Sequence, residues 1–309
     1  MFKLPHLPTP RAEVHELADF IELLAFEKKI ASARDVLAYL GRIDDNSDNI
    51  GIDDDDGTNE DILDEVMNEI DRRDEACGGD YPFELQAEGT VIHHLLDKEN
   101  HKSELYRYLL LSTRLDMDSD RVHAKIDGTL LFEEVIAQVL RHYVGGNKAK
   151  SFVFGTATSG RFSDKVTQMC QALGEGGRFR NLSGGPVKAN DDKLDAVAWV
   201  PFSDKLPGQL IAFAQCKTGT NWRDSLGQMN PDAFIRKWTE QPFLVNPVRV
   251  FCITESENRS RWKGTCIEGG ILLDRCRIVD FCESLETDLL KKVRTWTKAA
   301  KQQTLKNFV

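Results

Sequence analysis

The sequence lacks any apolar run of the roughly 18–20 residues that a membrane-spanning helix requires. Its first ten residues, MFKLPHLPTP, also lack the continuous apolar stretch of a secretory signal peptide. We therefore expect a soluble, cytoplasmic protein that does not associate with a membrane.

Paired cysteine motifs are also missing. The seven cysteines form no Cys-x-x-Cys pair and lack the dense spacing of a disulfide-linked secreted domain. All seven histidines lie at or before His142, whereas six of the seven cysteines lie after it. This separation argues against a zinc site that mixes the two residue types, and reduced thiols are the expected state.

Two common catalytic motifs are absent as well. No Gly-x-Ser-x-Gly segment is present, which argues against a serine hydrolase of that type. Residues 155–162 (GTATSGRF) have the spacing of a phosphate-binding loop, but Arg161 replaces its lysine and Phe162 replaces its magnesium-binding hydroxyl residue. A helicase or ATPase activity would therefore have to come from a partner protein.

Charge is plentiful but unevenly distributed. The 309 residues include 50 acidic and 40 basic side chains, which gives a formal net charge of −10. Residues 1–126 contain 30 acidic and 14 basic side chains, whereas residues 127–309 contain 20 and 26, a net charge of +6. Because phosphate backbones attract cations, only the second half suits a nucleic acid. We predict an acidic, mainly helical regulatory or partner-binding domain over residues 1–120 and a second domain over residues 121–309.

Hydrophobic periodicity predicts helices through most of the first hundred residues and a mixture of helices and strands after Asp127. The second half begins with a long apolar helix in GTLLFEEVIAQVLRHYV. After it, the predicted strands cover 151–155, 194–200, 209–217, 248–254 and 271–281, and the predicted helices cover 163–173, 231–240 and the residues from about 284. This pattern is typical of an α/β fold.

Two strongly alternating segments, LDAVAWV and QLIAFAQCK, are joined by turn-forming residues and predict an antiparallel hairpin. We expect Asp195 to lie opposite Cys216 or Lys217 in this hairpin. Gln215 and Lys217 share one face of their strand because side chains alternate, so a carboxylate, an amide and an ammonium group would meet at one end of the sheet. A divalent cation that prefers oxygen ligands could bind Asp195 and the main-chain carbonyl of Cys216.

This arrangement resembles the active-site motif of the PD-(D/E)xK nuclease superfamily, in the D…QxK form found in Mrr-like restriction endonucleases. Asp195 matches the acidic residue of the first strand, and Gln215, Cys216 and Lys217 match the QxK segment of the second. Gln215 stands where an acidic residue is commonest in the superfamily, which leaves fewer anionic ligands for a metal.

The superfamily also places a glutamate on its first core helix. In GTLLFEEVIAQVL that position is matched by Glu133, with Glu134 as the neighbouring alternative. The resemblance covers about residues 127–281. Roughly fifty residues, which include a glycine-rich segment, separate the helix from Asp195 and exceed the usual short link.

The resemblance implies a restriction-endonuclease-like fold, in which a mixed sheet is flanked by helices, and an endonuclease that hydrolyses DNA phosphodiester bonds. It implies catalytic roles for Glu133, Asp195, Gln215 and Lys217, and a metal held by Glu133, Asp195 and the carbonyl of Cys216. Mg²⁺, with Mn²⁺ as a substitute, is the expected ion because these ligands are oxygen atoms. The resemblance also suggests a role in phage defence or restriction, and pairing of two copies of the chain to cut both strands.

Cationic and aromatic residues near this motif are candidates for contacts with nucleic acid. The glycine-rich segment 174–190 carries Arg178, Arg180 and Lys188. Just after the QxK segment, Asn221, Trp222 and Arg223 could contact a phosphate or stack on a base. For Trp222 the alternative is a packed position over the sheet.

A second hypothesis assigns no catalysis to the chain. The segment 44–61 (DDNSDNIGIDDDDGTNED) is polar and acidic, and it could bind a partner by imitating the charge of DNA. In that case the protein would be a non-catalytic, partner-binding protein on a nuclease-like fold.

Overall fold

The computed structural model describes residues 1–9, 11–36, 38–39, 56–87, 89–95, 100–155, 160–182, 184 and 192–305. The strands are β1 Ile30–Ser32, β2 Phe83–Gln86, β3 Val91–His94, β4 Val122–His123, β5 Ile126–Asp127, β6 Lys150–Val153, β7 Ala196–Val200, β8 Leu210–Lys217, β9 Val248–Ile253 and β10 Ile271–Leu273. The helices are α1 Val14–Lys28, α2 Asp56–Ala76, α3 His101–Arg114, α4 Gly128–Gly145, α5 Phe162–Leu173, α6 Pro231–Trp238, α7 Trp262–Gly269, α8 Arg275–Asp280 and α9 Thr287–Thr304. None of the helices within these ranges combines the length and the apolar character needed to cross a bilayer.

The largest sheet has five strands in the order β10-β9-β8-β7-β6. Strands β6, β7 and β8 pair antiparallel, whereas β8, β9 and β10 pair parallel. Helices pack on both faces of this mixed sheet. The predicted α/β class is therefore confirmed, and most of the predicted strands and helices are found within a few residues of their expected bounds.

The pairing of β7 with β8 determines which site residues face each other. The first pair of this ladder is Ala196 with Ala214. Asp195, one residue before β7, is therefore level with Gln215. The expectation that it lies opposite Cys216 or Lys217 is wrong. The connection turns about Lys205, whose φ of 60° is left-handed, and lets both strands pair up to their ends. A shift of one residue would have turned every side chain of the strand to the opposite face.

Small and large side chains alternate along β7 and β8, and this alternation decides how each face is covered. The face toward α4 carries Ala196, Ala198, Ala212 and Ala214. The opposite face carries Val197, Trp199, Ile211 and Phe213, which pack with side chains of α5 and α6. The alanines let the α4 backbone approach the sheet closely, and this close approach brings the first turns of α4 to the strand ends.

The segment 271–281, predicted as one strand, is a short strand followed by a helix. Strand β10 ends at Leu273, and the Asp274 side chain then accepts a hydrogen bond from Arg277 N (3.1 Å) as the N-cap of α8. An aspartate at this position satisfies a main-chain N–H that the helix leaves unpaired, which favours the helix over a continued strand. The prediction was wrong from Asp274 onward.

The first half of the chain combines helices with a small sheet. In α1 the residues from His15 to Phe26 are all buried. Strands β1, β3 and β2 form an antiparallel sheet in that order. Of the acidic segment 44–61, residues 44–55 lie outside the described residues, and residues 56–61 form the beginning of α2.

One hydrophobic core extends across the predicted boundary at residue 120. Phe20 of α1 and Leu109 of α3 belong to the same cluster of buried side chains as Val139 of α4 and Val293 of α9. Helices α3 and α9 also pack directly against each other. Two domains with a large apolar interface and a single domain would both show such a core, so the division into two domains stays a prediction.

Five fully buried charged side chains join α1, α2, α3 and α8, and we call them the buried charge cluster: Asp19, Glu22, Arg73, Arg114 and Arg275. Asp19 accepts hydrogen bonds from Arg114 (2.7 Å), Arg73 (2.8 Å) and Arg275 (2.8 and 2.9 Å). Glu22 is bonded by Arg73 (2.8 Å). Burial opposes ionisation of Asp19, but the charges of Arg275, Arg114 and Arg73 outweigh it and hold the pKa of Asp19 well below its ordinary value.

Candidate functional site

A cavity of about 380 Å³ lies where β8 ends and the loop of residues 218–225 begins. Its walls come from α4, the residues just before β7, the end of β8 and two segments from the first half of the chain. The residues predicted to form the metal and catalytic site all line it, namely Glu133, Asp195, Gln215, Cys216 and Lys217. Residues from three separate parts of the sequence therefore lie together.

Main-chain hydrogen bonds fix Asp195 between neighbouring strands. Its carbonyl accepts from Phe154 N (2.8 Å) and Gly155 N (2.9 Å), and its N–H donates to Ala214 O (2.9 Å). Its carboxylate Oδ2 accepts a hydrogen bond from Cys216 N (2.7 Å). Because the N–H and C=O of one strand residue point to the same side, the carbonyl of Cys216 is directed toward the edge where Asp195 lies.

Glu133 reaches the cavity from the second turn of α4. That helix starts at a defined point because the Asp127 side chain accepts from Thr129 N (2.9 Å). The Glu133 carboxylate lies against Gly155, where an added Cβ atom would clash with Glu133 Oε2. Gly155 is held in turn by Lys165, whose Nζ donates to the Gly155 carbonyl (2.6 Å). A side chain at position 155 would therefore displace the Glu133 carboxylate.

Glu134, the alternative to Glu133, lies on a different surface. Its carboxylate pairs with Lys292 of α9 (2.7 Å) and lines a separate groove between α4 and α9. Adjacent residues on a helix are rotated by about 100°, so only one of the two glutamates can face the cavity. The structure places Glu133 in that position.

Gln215 is the most unusual side chain of the cavity. It is only 1% exposed, yet neither its Nε2 nor its Oε1 has a hydrogen-bond partner within the described residues. A buried amide without partners costs about 1–3 kcal/mol, and such groups in native proteins usually have a functional reason or an unseen partner. The amide lines the cavity, so a ligand there could supply the partner.

Cys216 and Lys217 end β8 with opposite roles. The Cys216 thiol belongs to the core cluster under α4, and burial together with a hydrogen bond to Cys252 raises its pKa well above the ordinary value. A thiol in this state is a packing group rather than a nucleophile. Lys217, by contrast, is half-buried and lines the cavity.

The donor atoms in the cavity suit a hard divalent cation. Glu133 and Asp195 offer carboxylate oxygens, and the carbonyl of Cys216 is directed to the same edge. Among the described residues no group of three or more His, Cys, Asp or Glu side chains is arranged to hold a metal ion. Mg²⁺ is commonly bound by only one or two carboxylates, with water and substrate phosphate filling its other positions, so this donor set fits it.

The loop after β8 carries three of the predicted nucleic-acid contacts, and only one of them is open. Asn221 is exposed and lines the cavity. Trp222 is 1% exposed, and its indole N–H donates to Glu255 (2.7 Å), so its side chain is packed and is not open to a ligand. Arg223 covers the Trp222 ring at 4.2 Å and pairs with Glu257 (3.0 Å).

Of the three basic residues in the glycine-rich segment, the two that the structure describes, Arg178 and Arg180, do not line the cavity. Arg178 is highly exposed and pairs with Glu240 (3.3 Å), and the N–H of Arg180, also exposed, donates to Trp238 O (3.0 Å). Both arginines therefore lie near the end of α6. Lys188 lies outside the described residues.

Three further cations line the cavity and were not singled out from the sequence: Lys3, Arg121 and Lys193. Lys193 precedes Asp195 by two residues, so proximity to the motif could have indicated it. Lys3 and Arg121 are far from the motif along the chain, and no local pattern marks them. They reach the cavity only through the packing of the first half against the second.

Comparisons of the chain with models of known protein families, with curated proteins and with solved structures found no match.

Proposed function

We propose that the protein is a metal-dependent endonuclease that hydrolyses phosphodiester bonds of DNA. The observation that supports the proposal most is that Glu133, Asp195, Gln215 and Lys217 line one cavity. These residues come from the helix and the two strands that the resemblance to PD-(D/E)xK nucleases singles out. On the same grounds we assign the five-stranded sheet and its helices to a restriction-endonuclease-like fold.

Each cavity residue has a role in this reaction. The Lys217 ammonium group offsets the negative charge that grows on the phosphate as a water attacks it, and it helps to orient that water. Gln215 can donate to a phosphate oxygen through Nε2 and accept from the attacking water through Oε1, which would satisfy its buried amide. The Cys216 N–H holds the Asp195 carboxylate in one orientation through its 2.7 Å hydrogen bond.

Glu133, Asp195 and the main-chain carbonyl of Cys216 would hold a Mg²⁺ ion, with Mn²⁺ as a substitute. When bound, such an ion lowers the pKa of a coordinated water and stabilises negative charge on the phosphate. Main-chain hydrogen bonds keep Asp195 in place, and the lack of a side chain at Gly155 leaves room for the Glu133 carboxylate.

The wider setting rests on the resemblance alone. A cytoplasmic nuclease of this kind would act in phage defence or restriction, and a helicase or ATPase partner would supply any movement along DNA. Pairing of two copies of the chain would allow both strands to be cut. These assignments come from analogy at the level of a fold and motif.

The test is to incubate the purified chain with plasmid DNA, linear DNA and RNA in the presence of Mg²⁺, Mn²⁺ or EDTA. We expect cleavage of DNA that requires the metal and falls on the order of 1000-fold in Asp195→Asn and Lys217→Ala. Asp232→Asn and Lys263→Ala, which change residues outside the cavity, should cleave as the unmodified protein does. Thermal unfolding with and without Mg²⁺ reports metal binding independently of cleavage.

Two outcomes would contradict the proposal. Unchanged cleavage in both cavity variants would show that the reaction takes place elsewhere. No cleavage under any condition, together with no effect of Mg²⁺ on unfolding, would favour the non-catalytic partner-binding protein instead.

A further inference from the structure

The segment of residues 1–9 is fixed against the rest of the molecule and contributes to the cavity. Phe2 and Leu4 are each only 6% exposed. Phe2 N donates to Glu16 (3.0 Å), and Leu4 N donates to Arg114 O (2.6 Å). These two anchors determine the position of Lys3 between them.

Lys3 lines the same cavity as Glu133, Asp195 and Lys217. Its Nζ lies 3.3 Å from Asp116, and this pair is partly open to solvent, with 26% and 41% of the two side chains exposed. An exposed ion pair of this kind contributes about 0–1 kcal/mol, so a phosphate group could compete with Asp116 for Lys3. The backbone of Lys3 is thus fixed, whereas its ammonium group is only weakly held by Asp116.

Arg121 is a second cation that lines the cavity. Its side chain is about half exposed and pairs with Asp127 (3.0 Å). Its carbonyl accepts a hydrogen bond from the buried Trp296 (2.9 Å), which fixes the backbone at this position. A planar guanidinium can bind two phosphate oxygens at once, and this geometry makes arginine suited to phosphate recognition.

We propose that Lys3 and Arg121 form a second phosphate site, which binds a phosphate of the substrate strand next to the one that is cut. This inference rests on the proposed nuclease function and extends it, because it assigns part of the substrate site to the acidic first half of the chain. Among the described residues, the cavity is lined by the four cations Lys3, Arg121, Lys193 and Lys217 and by the carboxylates of Asp118, Glu133 and Asp195. A single phosphate at the reacting position would leave Lys3 and Arg121 with only their carboxylate partners, Asp116 and Asp127.

The experiment measures DNA binding without cleavage, by fluorescence anisotropy of a labelled oligonucleotide with the full chain carrying Asp195→Asn. Adding Lys3→Ala should weaken binding by about tenfold and reduce the slope of log Kd against log salt concentration by about one. Lys3→Arg should keep the binding because it keeps the charge, and Arg121→Ala should resemble Lys3→Ala. Lys263→Ala, on an exposed position of α7, should change neither the affinity nor the slope.

The outcomes separate this inference from the function on which it rests. If the unmodified chain cleaves DNA but Lys3→Ala and Arg121→Ala leave affinity and salt slope unchanged, the second phosphate site is wrong and the nuclease proposal stands. If the unmodified chain neither binds nor cleaves DNA, both are overturned. Lys3→Gln serves if Lys3→Ala fails to fold, which circular dichroism would reveal, because it keeps most of the side-chain length.

Discussion

The buried charge cluster and the candidate site are both built from carboxylates and cations on neighbouring elements, but they differ in what surrounds each charge. In the cluster, Asp19 is bonded by three arginines and no member is exposed to solvent. At the site, Asp195 and Lys217 line an open cavity, and Gln215 has no hydrogen-bond partner within the described residues. Similar chemical groups are therefore arranged in two different ways.

This difference separates charges that hold the fold from charges that are available to a ligand. A buried charge with opposite charges around it tolerates no substitution of its partner, because the remaining charge would be left uncompensated. A polar group that lines a cavity without partners weakens the fold slightly and gains its partner when a ligand binds. The same substitution should thus affect mainly stability in one region and mainly activity in the other.

We expect the largest effect from the substitution Glu133→Gln, which should reduce DNA cleavage. Because this change removes a carboxylate from the proposed metal site, we expect DNA cleavage to fall on the order of 1000-fold with little change in thermal unfolding. Glu134→Gln is the matched control, since it alters the next residue of the same helix, whose carboxylate pairs with Lys292 instead. If both variants lost DNA cleavage equally, the carboxylate that lines the cavity would matter no more than the one on the surface of α4, and the proposed role of Glu133 would be wrong.

The second-largest expected effect is a loss of stability when the buried charge cluster is altered. Arg275→Met removes a cation that contacts Asp19 (2.8 Å) and Glu22 (3.3 Å), so the free energy of unfolding should fall by about 3–5 kcal/mol. Arg236→Met, which breaks the exposed pair with Asp232, should have no measurable effect. Urea unfolding at neutral pH measures both. A variant Arg275→Met as stable as the unmodified chain would mean that the cluster does not hold the fold.

Acid titration should affect the region around the cluster through Glu69 of α2. Burial opposes its ionisation, but the hydrogen bond from Arg72 and the charges of Arg73 and Arg72 outweigh this and lower the pKa of Glu69 from 4.5 to about 2. A carboxyl group whose pKa is lower in the folded state contributes stability above its unfolded pKa. Its contribution, on the order of 3 kcal/mol, should be full above about pH 4.5 and disappear as the pH falls toward 2.

The measurement compares Glu69→Gln with the unmodified chain. The difference between their free energies of unfolding should be largest near neutral pH and should shrink between pH 4.5 and pH 2. Because both chains share all the other carboxylates, comparing their free energies of unfolding at each pH cancels the titration of those groups. A difference that stays constant across this range would show that the Glu69 charge does not contribute to stability.

The sequence predicted the parts of the molecule that depend on local patterns. Alternation of side chains identified β7 and β8, and with them the grouping of Asp195, Gln215 and Lys217. The register was wrong because a turn of nine residues permits more than one pairing, and the choice depends on how the connection folds. The choice between Glu133 and Glu134 also stayed open, since it depends on the rotation of α4 against the sheet.

Features that join distant parts of the chain could not be predicted from one sequence. Asp19 and Arg275 are 256 residues apart and meet only in the folded core. Lys3 reaches the cavity because Phe2 and Leu4 bury against the first half, and no motif marks that arrangement. Patterns with periods of two or 3.6 residues report local structure, whereas these contacts depend on tertiary packing.

The smallest expected effect compares two buried glutamines. Gln209 is 4% exposed, and its Nε2 donates to Leu173 O, so Gln209→Leu should destabilise the fold by about 1–3 kcal/mol because that carbonyl loses its partner. Gln215 has no such partner, so Gln215→Leu should leave stability unchanged or raise it by about 1 kcal/mol while DNA cleavage falls. Urea unfolding and a cleavage assay on the same preparations measure both quantities. If Gln215→Leu lost as much stability as Gln209→Leu, Gln215 would stabilise the sheet through its packing. Its proposed role as a ligand-binding group would then be wrong.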